Sequence, residues 1–255
     1  MNKSRSLPLF YKDPVLLRFE EHGDAGLLPA SGVDFVREAV AIPLCVGEFS
    51  VALRHFPIVF TMDERALPIA LVGIRHGANL FVGKDGHWNP GSYVPAYIRR
   101  YPFITAETED GSQQLLAVDR GSDRYVASAA GREGAERLFD EAGGPTKAAL
   151  SAMALCHVYQ ADYASTAAFS QALLAENVLT SYQLELRLPD SARHRLKDFY
   201  VVDEKAFRAL PVKTITDWHA KGWLGLVILH LASQQSYQIL LDLHARRESE
   251  RKAPT

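Results

Sequence analysis

One stretch, Gly83 to Phe103, governs what this chain can fold into. It carries Trp88, Tyr93, Tyr97 and Tyr101, three prolines and the adjacent Arg99 and Arg100 between two β-like segments. The run is too irregular for a plain hairpin and too aromatic for a solvated loop. It has to pack against a core while keeping its polar groups satisfied. Before it, Ile69–Arg75 and Asn79–Val82 read as a hairpin across His76-Gly77-Ala78. After it, Phe103–Glu107 and Leu115–Asp119 alternate around Asp110-Gly111, a turn-prone pair between apolar runs.

Elsewhere the pattern changes period. Ile58–Thr61 reads as a buried strand, preceded by helical spacing over Glu48–His55 that Pro57 ends. From Pro145 an Ala-rich helix is predicted to about Asn177, with Leu150, Met153, Ala154, His157, Ala161, Ala164 and Ala168 on a near-heptad stripe. Leu184, Leu186 and Leu188 alternate with charges and can pair with Phe199–Val202. Asp203 opens a short helix, Thr216 or Asp217 another, and a last helix is predicted from Trp223 to about Arg247, before a solvated tail. The fold class predicted is α+β: a strand-rich part, 1–144, with antiparallel hairpins packed against a helical part, 145–247. We read one domain over 1–255, softest near 131–144, with a tail at 248–255.

An apolar fraction of 47% supports a sizeable core, and a net charge of −2 with interspersed signs argues against a nucleic-acid binder. No apolar run approaches the roughly 18 residues of a spanning helix. The polar start is not followed by an uninterrupted apolar stretch, so no signal peptide is predicted and a cytoplasmic location is expected. Cys45 and Cys156 sit among apolar neighbours and read as buried free thiols.

No phosphate loop, dinucleotide fingerprint or nucleophile elbow is present. The nine histidines lack close ligand spacing. Asp85 and His87, with His55 or His76 as a third member, are the one set with a metal-ligand character, and turn residues explain that pair more simply. No metal and no cofactor are predicted. The candidate ligand-binding residues are Glu48, His55, Trp88, Tyr93, Tyr97, Arg99, Arg100 and Tyr101. A helix from about Val94 would stack the three tyrosines, four apart, on one face. Such a row is either core packing or a pocket wall. Tyr97 and one of the two arginines are predicted to be buried; that arginine could pair with Glu48 or with a ligand carboxylate or phosphate. Glu48 also suits a helix start for purely structural reasons.

Pro8-Leu-Phe-Tyr11, Val46-Gly-Glu-Phe49, Arg54 to Phe60, Asn79-Leu-Phe81, Trp88 to Phe103, Phe199 to Glu204 and Arg208 to Pro211 together resemble the bacterial SapC-like family. The resemblance covers nearly the whole chain. It implies association with a surface layer, and similar proteins sit in gene neighbourhoods with outer-membrane receptors, flavin halogenase-like proteins and cupin-like oxygenases. It carries over no catalytic residue. The peptide-transporter permease of the same name is unrelated, and this chain lacks its membrane spans.

Recognition chemistry without a nucleophile, metal or phosphate constellation predicts a soluble binding or accessory protein that holds a small ligand or a protein partner. It is expected to bind no nucleic acid and to carry no transmembrane segment, and homo-oligomerisation is compatible with the sequence. The competing readings are an enzyme with a dispersed site, metal-dependent and oxygenase-like, and a surface-layer component.

Overall fold

A computed structural model describes residues 7–75, 77–107, 114–187 and 193–252. The chain divides into two compact units, each built from two stretches: Met1–Phe35 with Arg99–Ala161, and Val36–Ile98 with Asp162–Thr255. The fold is α+β, with antiparallel sheets among the described residues.

In the first unit, β1 (Pro14–Leu16), β7 (Gln114–Asp119) and β6 (Phe103–Glu107) form one sheet in the order β1-β7-β6. The predicted β6–β7 pairing is present, with Thr105 opposite Leu116. Its Asp110-Gly111 turn lies outside the described residues. Register partners share a face, so Val15, Val118 and Phe103 point one way, joined by Leu116. They meet Leu17, Ala25, Leu138, and the Ala149 and Cys156 face of α4 (Lys147–Ala175) in one apolar core. A second sheet joins β8 (Tyr125–Val126), β2 (Gly26–Leu27) and β9 (Glu136–Arg137), beside the short helix α1 (Phe19–His22). A Cβ on Gly26 would lie 2.7 Å from the Ala129 Cβ, so this close strand approach requires glycine.

The second unit is built on a five-stranded sheet in the order β10-β11-β4-β5-β3. Its strands are β3 (Ala41–Pro43), β4 (Ile58–Thr61), β5 (Pro68–Leu71), β10 (Leu179–Arg187) and β11 (Arg193–Val202). The predicted Leu184 and Phe199 segments do pair, and Phe199 and Tyr200 join them to β4. Helices α2 (Phe49–Ala52), α5 (Glu204–Arg208), α6 (Val212–Ala220), α7 (Trp223–Ser233) and α8 (Tyr237–Lys252) complete the unit with the later half of α4. α5 starts where the Asp203 carboxylate accepts from the amides of Lys205 and Ala206, as an N-cap should. Phe49, Phe56, Phe60, Phe81, Phe169, Trp218 and Leu240 are fully buried.

Four local expectations change. Asn79–Val82 is not a strand; Val82 makes only an isolated bridge to Trp88. α6 begins at Val212, directly after Pro211, earlier than Thr216. The last helix is two helices, broken by a 3-10 turn at Gln234–Ser236. Here side chains bond outward instead of continuing the ladder: Ser236 Oγ donates to Leu53 O at 2.6 Å and Gln234 Nε2 to Ile58 O at 2.9 Å. Ser233 Oγ accepts from Ile58 N. Finally, α8 runs on to Lys252 through residues read as a tail. Arg247 explains this: its guanidinium donates to the carbonyls of Asn79 and Val82. No helix among the described residues is long and apolar enough to cross a membrane.

Candidate functional site

In the second unit, Cys45-Val-Gly-Glu48 turns into a 3-10 helix, Val46–Glu48, and then α2. The Glu48 carboxylate folds back, and Oε2 accepts from Cys45 N at 2.8 Å. Oε1 accepts from Tyr93 Oη at 2.9 Å and from Ala96 N at 2.7 Å. Glu48 is buried. One carboxylate therefore closes its own turn and fastens the aromatic–proline segment at two points, including the start of α3 (Ala96–Arg99).

The same turn is held from α4. Thr166 Oγ1 accepts from Val46 N at 2.9 Å, and Asp162 Oδ1 accepts from Gly47 N at 3.2 Å. A Cβ on Gly47 would lie 2.6 Å from Asp162 Oδ2, so glycine lets the second carboxylate approach. Burial pushes the Asp162 carboxyl above the ordinary range, against the opposing pull of the Gly47 amide. The sequence reading missed Asp162 and Thr166, which lie more than a hundred positions from their partners.

Trp88 belongs to the same unit. Its Nε1 donates to Tyr93 O at 3.0 Å, and its ring stacks on Phe81 at 5.5 Å and 19°. Phe56 meets both rings edge-on. Asn89 N donates to Phe81 O and Asn89 Nδ2 to Leu80 O. Residues 88–96 are thus pinned along their length, with His87, Pro90 and Gly91 exposed and Trp88 and Tyr93 half-buried. His55 is half-buried next to Phe56; desolvation first, and the Arg54 charge second, lower its pKa.

The expected three-tyrosine stack does not form. α3 is a single turn, bounded by Pro95 and Pro102, so Tyr93 precedes it and Tyr101 follows it. Tyr97 is buried, Arg100 is buried and Arg99 is exposed, as the sequence predicted for Tyr97 and one arginine. Tyr97→Ala is expected to cost about 2–4 kcal/mol in a urea titration. A loss below about 0.5 kcal/mol, the level of ordinary surface changes, would place the ring at the surface.

In the first unit, Arg100 lies over the Tyr159 ring at 4.0 Å and the Tyr11 ring at 5.8 Å. Tyr101 stacks on Phe35 and meets Tyr11 edge-on. Its hydroxyl donates to Asp119 Oδ2 at 3.1 Å, and burial above all pushes its pKa up to about 12. Asp119 is fully buried, and it also accepts from the amides of Lys12, Asp13 and Gly121. Sequence reasoning took Asp119 only as a strand end; the apolar β7 run stopping at Asp-Arg-Gly was its one signal. Both cysteines are buried and free. Burial raises the Cys156 thiol to about 11, against the lowering influence of Arg100.

One further buried polar group sits in the second unit. His230 Nε2 accepts from Val202 N at 3.1 Å, so its proton is on Nδ1, and the ring packs on Phe60. Nδ1 has no hydrogen-bond partner among the described residues; the Ile58 carbonyl is near enough to favour the charged ring slightly, without bonding geometry. Desolvation dominates and holds the pKa at about 4, against 6.5 in an open chain. Between these values the unfolded chain takes up a proton that the folded one refuses. Stability is then complete above about pH 6.5 and falls by about 3 kcal/mol as pH drops towards 4. His230→Gln is expected to flatten this part of the profile, and an unchanged slope would show that another group carries it.

Among the described residues, no group of three His, Cys, Asp or Glu side chains is arranged to hold a metal ion. Asp85 and His87 form a turn, with His87 N donating to Asp85 Oδ1.

Compared with known proteins, residues 17–240, most of the chain, match a family model described as SapC. No curated protein matches the chain, and no solved structure does.

Proposed function

The chain belongs to the SapC family, and from that premise we propose that it works as a binding or accessory protein whose recognition surface is the aromatic segment 87–93. The observation that carries this reading is the fastening of that segment by Glu48, through Tyr93 Oη and Ala96 N. The carboxylate is spent on holding a loop in shape. A loop held before binding loses little entropy on binding, and half-buried Trp and Tyr rings are efficient contact groups. Asp119 is used in a similar structural way in the first unit, where its oxygens meet three amides and a hydroxyl. A small ligand or a protein can use such a surface.

The test is a pull-down from the native cell with mass spectrometry, comparing the natural chain with a His87→Glu, Pro90→Arg variant. Both positions are exposed, so the fold should tolerate the change. A protein or small molecule retained by the natural chain and lost from the variant is the expected result. Retention by both chains places the surface elsewhere. Ordered self-assembly of the pure chain would favour a surface-layer component. About one iron or zinc per chain, lost on His55→Ala, would favour an enzyme.

A further inference from the structure

The β1-β7-β6 sheet carries rows of apolar side chains on both faces, whereas an antiparallel sheet commonly has one wet, polar face. The core takes Val15, Val118, Phe103 and Leu116. On the opposite face the register aligns Leu16, Ala117 and Ile104 across the three strands, with Pro14 and Ala106 alongside. Ala117 and Ala106 are small, and the floor they make is walled by Leu7 and Pro8 on one side and by Gln160 of α4. The result is a cavity of about 470 Å³, within the usual range for small-molecule sites. Among the described residues no charged residue lines it. Gln160 adds a carboxamide with no internal hydrogen-bond partner among the described residues; Thr105 and Gln114 also border the cavity, but the register turns their side chains to the Leu116 face.

We propose that this cavity binds an uncharged, mainly apolar small molecule bearing a carbonyl, amide or hydroxyl group. The aliphatic floor takes the apolar body. The Gln160 carboxamide both donates and accepts, so it reads the polar group. A carboxylate or phosphate would meet no cation among the described lining residues, at a desolvation cost they do not offset. The cavity shares no residue with the 87–93 segment, so this assignment stands or falls separately from the proposed partner surface.

The probe is N-phenyl-1-naphthylamine, an uncharged aromatic amine, titrated by fluorescence against the full chain. Saturable binding of one molecule per chain is expected. Ala106→Trp fills the floor from β6, and Gln160→Trp fills it from an exposed position on α4. Each should weaken binding at least about tenfold. The variants are read only where their melting temperature stays within about 2 °C of the natural chain, a condition the exposed Gln160 position should meet. No saturable binding to the natural chain, or an unchanged dissociation constant in a folded variant, overturns the site. Equally tight binding of the anionic 1-anilinonaphthalene-8-sulfonate overturns the assignment of an uncharged ligand.

Discussion

Glu48→Ala is expected to destabilise the chain by about 3–5 kcal/mol, seen as a lower urea midpoint at unchanged slope. Three donors lose their acceptor at once: Cys45 N, Tyr93 Oη and Ala96 N. Each buried donor left unsatisfied costs about 1–3 kcal/mol, and partial relaxation of the loop keeps the sum below the maximum. Tyr93→Phe removes one of the three and should cost about 1 kcal/mol. If Glu48→Ala cost no more than Tyr93→Phe, the carboxylate would not be fastening the turn and the loop together.

Asp119→Ala should cost a similar 3–5 kcal/mol, in roughly the same proportion per donor. Asp119 is fully buried, and its two oxygens accept from Lys12 N, Asp13 N, Gly121 N and Tyr101 Oη. The N-terminal segment is tied to β7 by these bonds, and Arg120 adds an exposed ion pair to Asp13 at 2.8 Å. That pair is solvent-screened, so Arg120→Ala should change stability by less than about 1 kcal/mol. A larger effect from Arg120 than from Asp119 would reverse this assignment.

What the sequence made legible is local. The β6–β7 alternation, the buried run of β4, the Asp203 cap and the long Ala-rich helix all declare themselves within a dozen or so residues, where periodicity and capping act. Glu48 was half legible: its place at a helix start is local and its Cys45 bond follows, but its bonds to Tyr93 and Ala96 span 45 and 48 positions. The tyrosine row misled because spacing by four assumes a helix long enough to use it, and two prolines confine α3 to one turn. The break after Ser233 was hidden for a different reason. Gln234 and Ser236 are ordinary in a helix until the carbonyls of Ile58 and Leu53 are brought beside them.

Asp119, Asp162 and Thr166 show the same limit from the other side. Apart from the Asp-Arg-Gly that ends β7, nothing near them in sequence marks them, because their distant partners are supplied by the fold. The resemblance motifs follow this logic too. Tyr11 packs on Tyr101 and donates to Phe103 O, and Glu48 holds Tyr93, so residues quoted from separate motifs are each other's packing partners.

The proposed recognition surface requires that residues 87–96 be held in shape before any partner arrives. Hydrogen exchange of the partner-free chain, resolved to single amides, tests it most directly. The amides of Asn89, Ser92 and Ala96 donate to Phe81 O, Asn89 O and Glu48 Oε1. They are predicted to exchange far more slowly than open-chain amides, as members of a structured unit. Exchange of all three at open-chain rates would mean the segment orders only on binding, and the preformed recognition surface would be contradicted.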